Sequence, residues 1–145
     1  MARVSILIVA YKSAAHLPRL FECLAAQTCQ DFESILIDNA SPDEAEPDGV
    51  TIEQASIFVQ NKTNTGFAVA NNQAAQLATS VWLVMLNPDA FPEPKWLEHL
   101  LAAQARYPDV TAFGSTQLLD ENPALLDGAG DVYHAAGIPF RGGYL

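Results

Sequence analysis

Basic residues are scarce in this chain: seven Lys and Arg stand against seventeen Asp and Glu in 145 residues, a formal net charge of −10. Nucleic-acid-binding domains carry a basic footprint, so broad nucleic-acid binding is excluded. Any anionic ligand would need a cation or oriented backbone N–H groups to offset repulsion. Cysteine is nearly absent, with only Cys23 and Cys29. Their spacing fits no zinc pattern, and a reducing cytoplasm is the default compartment. No run of 18 or more apolar residues occurs, so no membrane span is indicated. The apolar start, Met1 to Ala10, superficially resembles a signal peptide, but it lacks a small-residue cleavage site and Tyr11-Lys12 interrupts it. It reads as a first strand. Internal repeats and low-complexity tracts are missing too. Glycine is missing from Tyr11-Lys12-Ser13-Ala14-Ala15-His16, which excludes both a G-x-G-x-x-G turn and a P-loop after that strand. His16, His99 and His134 show no metal-ligand spacing, and no Ser-His-Asp order can be assembled.

Hydrophobic residues make up 50% of the chain, enough to bury a core, and the length fits one domain. Arg3–Ala10 is a Val- and Ile-rich strand. Residues 13–27 read as a helix with Leu17, Leu20, Phe21 and Leu24 on one face; Ser13 is a candidate cap, and Pro18 moves the helix proper to near Leu17. Ser34–Asp38 is a second strand, and the acidic residues 43–50 read as a mobile surface loop. Ala55–Val59 is a third strand. Phe67–Ala78 is a helix with Phe67, Ala70, Ala74 and Leu77 at helical spacing. Val81–Leu86 is a continuous apolar run, suited to a central strand covered on both faces, and Pro88 stops it. Trp96–Tyr107 is a helix with Trp96, Leu100, Ala103 and Tyr107 inward, and Val110–Gly114 a fifth strand. This alternation predicts an α/β fold with a mainly parallel, doubly wound sheet and helices on both faces. Residues 1–126 form the α/β domain on this reading. Residues 127–145 read as a Gly-rich loop, and a compact domain rarely ends in so long a loop, so the chain is expected to be the first part of a longer protein.

Three strand ends gather the chemistry: Ala10-Tyr11-Lys12-Ser13, Asp38-Asn39-Ala40-Ser41 and Asn87-Pro88-Asp89. In a parallel sheet all three lie at the carboxyl edge, where open α/β sheets bind ligands. A carboxylate there can hold a divalent cation through hard oxygen ligands.

Four segments, in order and spacing, carry a family resemblance over roughly residues 3–100: Val4–Tyr11, Ile37-Asp38-Asn39-Ala40-Ser41-Pro42-Asp43, Asn64-Thr65-Gly66-Phe67-Ala68-Val69-Ala70-Asn71-Asn72, and Leu86-Asn87-Pro88-Asp89. Together they resemble the nucleotide-binding half of family-2 inverting glycosyltransferases, which have the GT-A fold. The N-x-G-F-A and N-P-D segments are similar to a rhamnosyltransferase-like branch, as is the tail Asp127–Asp131 through Arg141-Gly142-Gly143. The resemblance implies a nucleotide site of Ala10, Tyr11, Asp38, Asn39, Gly66, Asn72 and Asn87. Tyr11 would stack on the donor base, a contact worth about 1–3 kcal/mol in nucleic-acid systems. The plainer alternative is a rim or core tyrosine. Asp38 would accept from the N3–H of uracil or thymine, as an acceptor-only carboxylate can; otherwise it is a strand-terminal turn residue. Asn39 and Ser41 more often just form a turn. Gly66 opens a helix whose N–H groups could face phosphate, or serves the turn alone. Asn72 is favoured over Asn71 on family pattern, with an exposed polar face as the alternative. Lys12 and Lys62 either help neutralise a diphosphate or are solvated.

Asp89 fills the last position of the family's D-x-D metal motif, whereas Asn87 replaces its first aspartate. Mg²⁺ or Mn²⁺ would then rest on Asp89, donor phosphates and water, a normal arrangement for Mg²⁺; a Pro-Asp turn is the alternative. The implied reaction moves a sugar from a UDP- or dTDP-sugar to an acceptor hydroxyl, with inversion. The acceptor would be a saccharide or a lipid-linked saccharide, as in bacterial surface polysaccharide synthesis. In the family the catalytic base lies well downstream of the metal motif. Here the carboxylates after residue 109 are Asp120, Glu121, Asp127 and Asp131, none in a matching context. The base stays unassigned, and the isolated chain is expected to be inactive. A cytoplasmic location is expected, at the inner membrane face if the full-length protein associates peripherally, and a homodimer is allowed. The competing readings are a non-catalytic nucleotide-binding module and an unrelated flavodoxin-like domain.

Overall fold

A computed structural model describes residues 2–42, 48–128, 131–133 and 139–141, with side chains described to residue 127 except at residues 49 and 50. The chain divides into two compact units, Met1–Leu101 and Ala102–Leu145. The element order of the first is β1 (Val4–Ala10), α1 (Leu17–Ala25), β2 (Phe32–Asp38), α2 (Gly49–Gln54), β3 (Ile57–Gln60), α3 (Phe67–Leu77), β4 (Trp82–Met85) and α4 (Trp96–Arg106), the last running on into the second unit. Its four strands form one sheet in the order β3-β2-β1-β4, and every neighbouring pair is parallel. The second unit holds two antiparallel pairs, β5 (Gln117–Leu119) with β6 (Asn122–Gly128), and β7 (Asp131–Tyr133) with β8 (Pro139–Arg141).

All seven residues of β1 are buried. Side chains alternate across a strand, and β1 uses the alternation to feed two cores. Val4, Ile6, Ile8 and Ala10 join Leu17, Leu20, Phe21 and Leu24 of α1 and Leu97 of α4 on one face. Leu7 and Val9 join Ile35 and Ile37 of β2 and Ala70 and Ala74 of α3 on the other. The two small alanines let α3 lie close to the sheet. Helices therefore cover both faces, as the alternating sequence predicts. The α1 face matches the predicted apolar stripe residue for residue, and the helix starts at Leu17, with Pro18 in its first turn.

Several expectations are corrected. The 81–86 run is not a doubly covered central strand: among the described strands β4 lies at the sheet edge. Its burial alternates, with Trp82 and Val84 against the α1-side core, whereas Leu83 and Met85 (68% exposed) are open. The cause is that α3 packs over β1 and β2 and leaves that face of β4 uncovered. On α3 itself Phe67 and Leu77 are exposed, while Ala70, Asn71 and Ala74 are buried. On α4 Leu97 is the buried residue, and Tyr107 is exposed. Ser13 does not cap α1; its hydroxyl donates to the Tyr11 carbonyl at 3.0 Å. Residues 110–114 form no strand, and residues 127–145 are not simply a loop, because β7, β8 and the end of β6 fall there. Of the acidic 43–50 segment, residues 43–47 lie outside the described residues. Asp48 caps the unanticipated α2, accepting from the Thr51 N–H at 2.7 Å. Among the described residues no helix is long and apolar enough to cross a membrane.

The amino-terminal edge of the sheet is held by Glu33. Its carboxylate accepts from the Ser5 hydroxyl and from the Thr79 N–H and hydroxyl, the last two at 2.7 and 2.9 Å. Desolvation is the largest single influence and pushes the carboxyl up, but the hydrogen bonds together outweigh it and hold the pKa below its ordinary 4.5. A depressed folded-state pKa stabilises the fold above the unfolded value and loses that contribution as pH falls through the folded one. Unfolding in urea at stepped pH should therefore show stability dropping below about pH 4.5, and Glu33→Gln should flatten that part of the curve. The fully buried Leu20 sets the scale of the core: Leu20→Ala should cost about 2–5 kcal/mol in the same assay.

Candidate functional site

The strand order places a topological switch between β1 and β4. From β1 the chain winds outward through β2 to β3, then crosses back through α3 to β4 on the far side of β1. A crevice opens at such a point beyond the carboxyl ends of the strands. Tyr11 follows β1 there, and Asn87-Pro88-Asp89 follows β4. Leu7 pairs with Met85, and the Leu86 N–H donates to the Leu7 carbonyl at 2.9 Å, so the Asn-Pro-Asp turn starts alongside the last rungs of β1.

The ends of β1, β2 and β3 are stapled level. The Asn39 N–H donates to the Ala10 carbonyl at 2.8 Å, and the Asn61 N–H donates to the Asp38 carbonyl at 2.8 Å. Ala10 and Asp38, paired across the sheet, are both buried. The Asp38 carboxylate accepts from the Ser41 N–H at 3.4 and 3.3 Å, the long end of the range, and retains acceptor capacity. Tyr11 is 43% exposed, and the Lys12 ammonium lies 5.4 Å from its ring centre. Asn72, Asn87, Asp89 and Lys62 are exposed. Asn71 is turned inward, donating to the Phe67 carbonyl at 2.9 Å. Gly66 is the residue before the first turn of α3, which no side chain caps, so helix-start N–H groups stand open next to the β2 end. The carboxyl ends of β1, β2 and β4 and the start of α3 thus bring together Ala10, Tyr11, Asp38, Asn39, Gly66, Asn87 and Asp89. Asn72 sits one and a half turns into α3.

Asp89 and Asn87 present one carboxylate and one neutral amide oxygen after the same strand. Among the described residues no three His, Cys, Asp or Glu side chains cluster as a metal cage. That donor set fits a hard cation held jointly by one carboxylate and a ligand's own phosphates, and it does not fit zinc.

Three features were not read from the sequence. Lys12 and Ala40, just beyond β1 and β2, both have positive φ, 56° and 63°. Their turns are tied together by the Lys12 N–H donating to the Ser41 hydroxyl at 2.9 Å. No residue-type signal marks either position. The third is Gln27, buried at the end of α1. Its amide donates to the Glu93 carbonyl at 2.8 Å and accepts from the Leu97 N–H at 3.0 Å, fastening the segment that follows Asp89. Its signal was available: Gln27 continues the Leu17-Leu20-Leu24 face by three residues. His16 packs beside Phe91, its ring centre 6.4 Å away, while His134 and much of the 127–143 tail lie outside the described residues.

Residues 5–125 match Glycosyl transferase family 2. An uncharacterized glycosyltransferase of Haemophilus influenzae is 31% identical over 111 residues, covering 74% of this chain and 36% of that protein. A PGL/p-HBAD biosynthesis glycosyltransferase of Mycobacterium tuberculosis is 37% identical over 94 residues, 59% of this chain and 34% of that one. The chain thus spans about a third of the length of these curated relatives. Staphylococcus aureus TarS 1–349 in complex with UDP superposes with a TM-score of 0.63 at 17% identity, over 83% of this chain and 40% of that one. A Pyrobaculum calidifontis mannosyltransferase in complex with GDP-Man and Mn²⁺ does so at 0.60 and 20%, over 81% and 35%. These likenesses establish the GT-A-like fold.

Gly66 and Ala40, two of the three positive-φ positions among the described residues, separate by experiment. Gly66 has φ 82° and ψ 163°, a region open in practice to glycine alone, although a methyl group there would meet nothing within 4 Å. Gly66→Ala should therefore destabilise by about 1–3 kcal/mol through backbone strain. Ala40→Gly should do the reverse, raising stability by up to about 1 kcal/mol. Urea midpoints of both variants check the opposite signs.

Proposed function

The chain belongs to Glycosyl transferase family 2, and we propose that it is the donor-binding part of an inverting transferase that takes a UDP- or dTDP-sugar. What supports this reading is that Tyr11, Asp38 and Asp89 lie at or after the carboxyl ends of β1, β2 and β4, the strands around the switch point. Tyr11, exposed beyond β1, stacks on the base. Asp38 accepts from the base N3–H, which uracil and thymine share. The Ala40-Ser41 turn closes over that carboxylate, so base entry displaces the long Ser41 hydrogen bonds. Ala10 and Gly66 offer backbone close to the nucleotide, and Asn72 and Asn87 offer amides to ribose or phosphate.

The net charge of −10 repels a diphosphate, and Asp89 offsets this by holding Mg²⁺ or Mn²⁺, with Asn87 adding a neutral oxygen. When bound, that ion stabilises charge on the departing diphosphate. The chain's own residues grip and orient the nucleotide so that the anomeric carbon stays open to an acceptor hydroxyl on the opposite side, which gives inversion. The proton of that hydroxyl goes to a general base, which stays unassigned. A rhamnosyl donor and a saccharide or lipid-linked acceptor are the substrates we favour, on the N-x-G-F-A and N-P-D segments. The same reading carries peripheral work at the cytoplasmic membrane face for the whole protein.

Titration calorimetry of the 145-residue chain with UDP and dTDP, with and without Mn²⁺, tests this. Metal-dependent binding of either nucleotide is expected. Asp89→Ala should abolish the metal-dependent part, and Asp38→Asn should weaken binding about tenfold or more, the scale of a charge-assisted hydrogen bond. Indifference to both nucleotides in the presence of metal would sink the reading.

A further inference from the structure

Asn39 stands beside Asp38 in the site, yet its side chain has no capacity left for a ligand. It is 2% exposed. Its amide nitrogen donates to Asn64 Oδ1 at 3.0 Å and to the Gly66 carbonyl at 3.4 Å. Its oxygen accepts from Asn61 Nδ2 at 3.1 Å, the Thr65 N–H at 3.1 Å and the Thr65 hydroxyl at 3.0 Å. An amide has two N–H groups and two lone pairs, so every position is taken. Asn61 is in turn fixed by Gln73 of α3 in a reciprocal pair, Nδ2 to Oε1 at 2.9 Å and Nε2 to Oδ1 at 3.0 Å. Asn64 Oδ1 also accepts from the Gly66 N–H at 2.9 Å. The chain from β2 through residues 61–66 to the second turn of α3 is thus one continuous amide network.

We propose that Asn39 is a positioning residue for the nucleotide: it touches no ligand and acts by locking the 61–66 turn and Gly66 in place beside Asp38. Gln73 and Asn61 are its backing, and Gln73 reaches Asn39 only through Asn61 in the hydrogen bonds described. A buried polar network that is fully satisfied fixes a single geometry, whereas removal of one member loosens the rest. The proposal rests on the nucleotide-binding reading above and makes a separate claim about how that binding is maintained.

The test is UDP affinity, in the presence of Mn²⁺, for the 145-residue chain and its Asn39→Ala, Gln73→Ala and doubly substituted forms. It is measured well below each melting temperature so that only folded protein is compared. Both single variants should lose affinity by about fivefold to tenfold, the net worth of roughly one hydrogen bond. The double variant should be little worse than Asn39→Ala alone, because members of one network are not additive. Equal affinity in wild type and both variants, with only the melting temperature lowered, would mean a purely structural role and overturn the proposal. Loss in Asn39→Ala with none in Gln73→Ala would mean that the chain from Asn39 through Asn61 to Gln73 does not position the site, and would overturn it too. If Asn39→Ala does not fold, Gln73→Ala decides by the same comparison. Failure of the wild type to bind any nucleotide removes the donor-binding reading, and this proposal with it.

Discussion

The rest of the fold hangs on the burial of β1 from both sides. Seven consecutive side chains with no exposed position require a sheet neighbour on each edge and a helix layer on each face. Once α1 and α4 fill one face and α3 the other, the chain must pass from one layer to the other between β3 and β4. That passage is what separates β4 from β2 and opens the crevice at the end of β1. The candidate site is therefore a by-product of how the most fully buried of the described strands is covered.

Much of this was legible in the residues. The α1 stripe could be read because Leu17, Leu20, Phe21 and Leu24 repeat at helical spacing and Pro18 fixes the start. The strand-end polar groups could be read because an apolar run followed by Asn, Asp, Ser or Pro has one physical meaning in a parallel sheet. The status of β4 was not legible. Six apolar residues look the same whether both faces are covered or only one, and the difference is made by where α3 lands. The second unit escaped for another reason. Its hairpins are short and contain Gly and Pro, and such strands owe their existence to pairing partners more than to local preference. Phe67 and Leu77 misled because α3 meets the sheet through two alanines, so larger residues beside them are held away from it.

In the site, residues that looked equivalent in sequence divide by burial. Asp38 and Asn39 are adjacent and both buried, but the carboxylate keeps free lone pairs while the amide spends all of its capacity on the next turn. Asp89 and Asn87, by contrast, are open to solvent. The edge thus has a rigid half, built of interlocked amides at the ends of β2 and β3, and an exposed half at the end of β4. The positive φ values of Lys12 and Ala40 fall on the seam of the rigid half, where the backbone must turn sharply to leave the sheet.

The uncovered face of β4 has a colloidal consequence. Val81, just before β4, and Leu83 and Met85 within it are exposed, and among the described strands β4 is an edge, whose unpaired backbone is a template for another chain. Two copies approaching through it each bring a net charge of −10, and that repulsion reaches across about 10 Å at 0.1 M salt and about 3 Å at 1 M. Repulsion between two copies is therefore screened more strongly in concentrated salt than in dilute buffer. The acidity that opposes an anionic ligand thus also opposes the approach of a second copy to this strand.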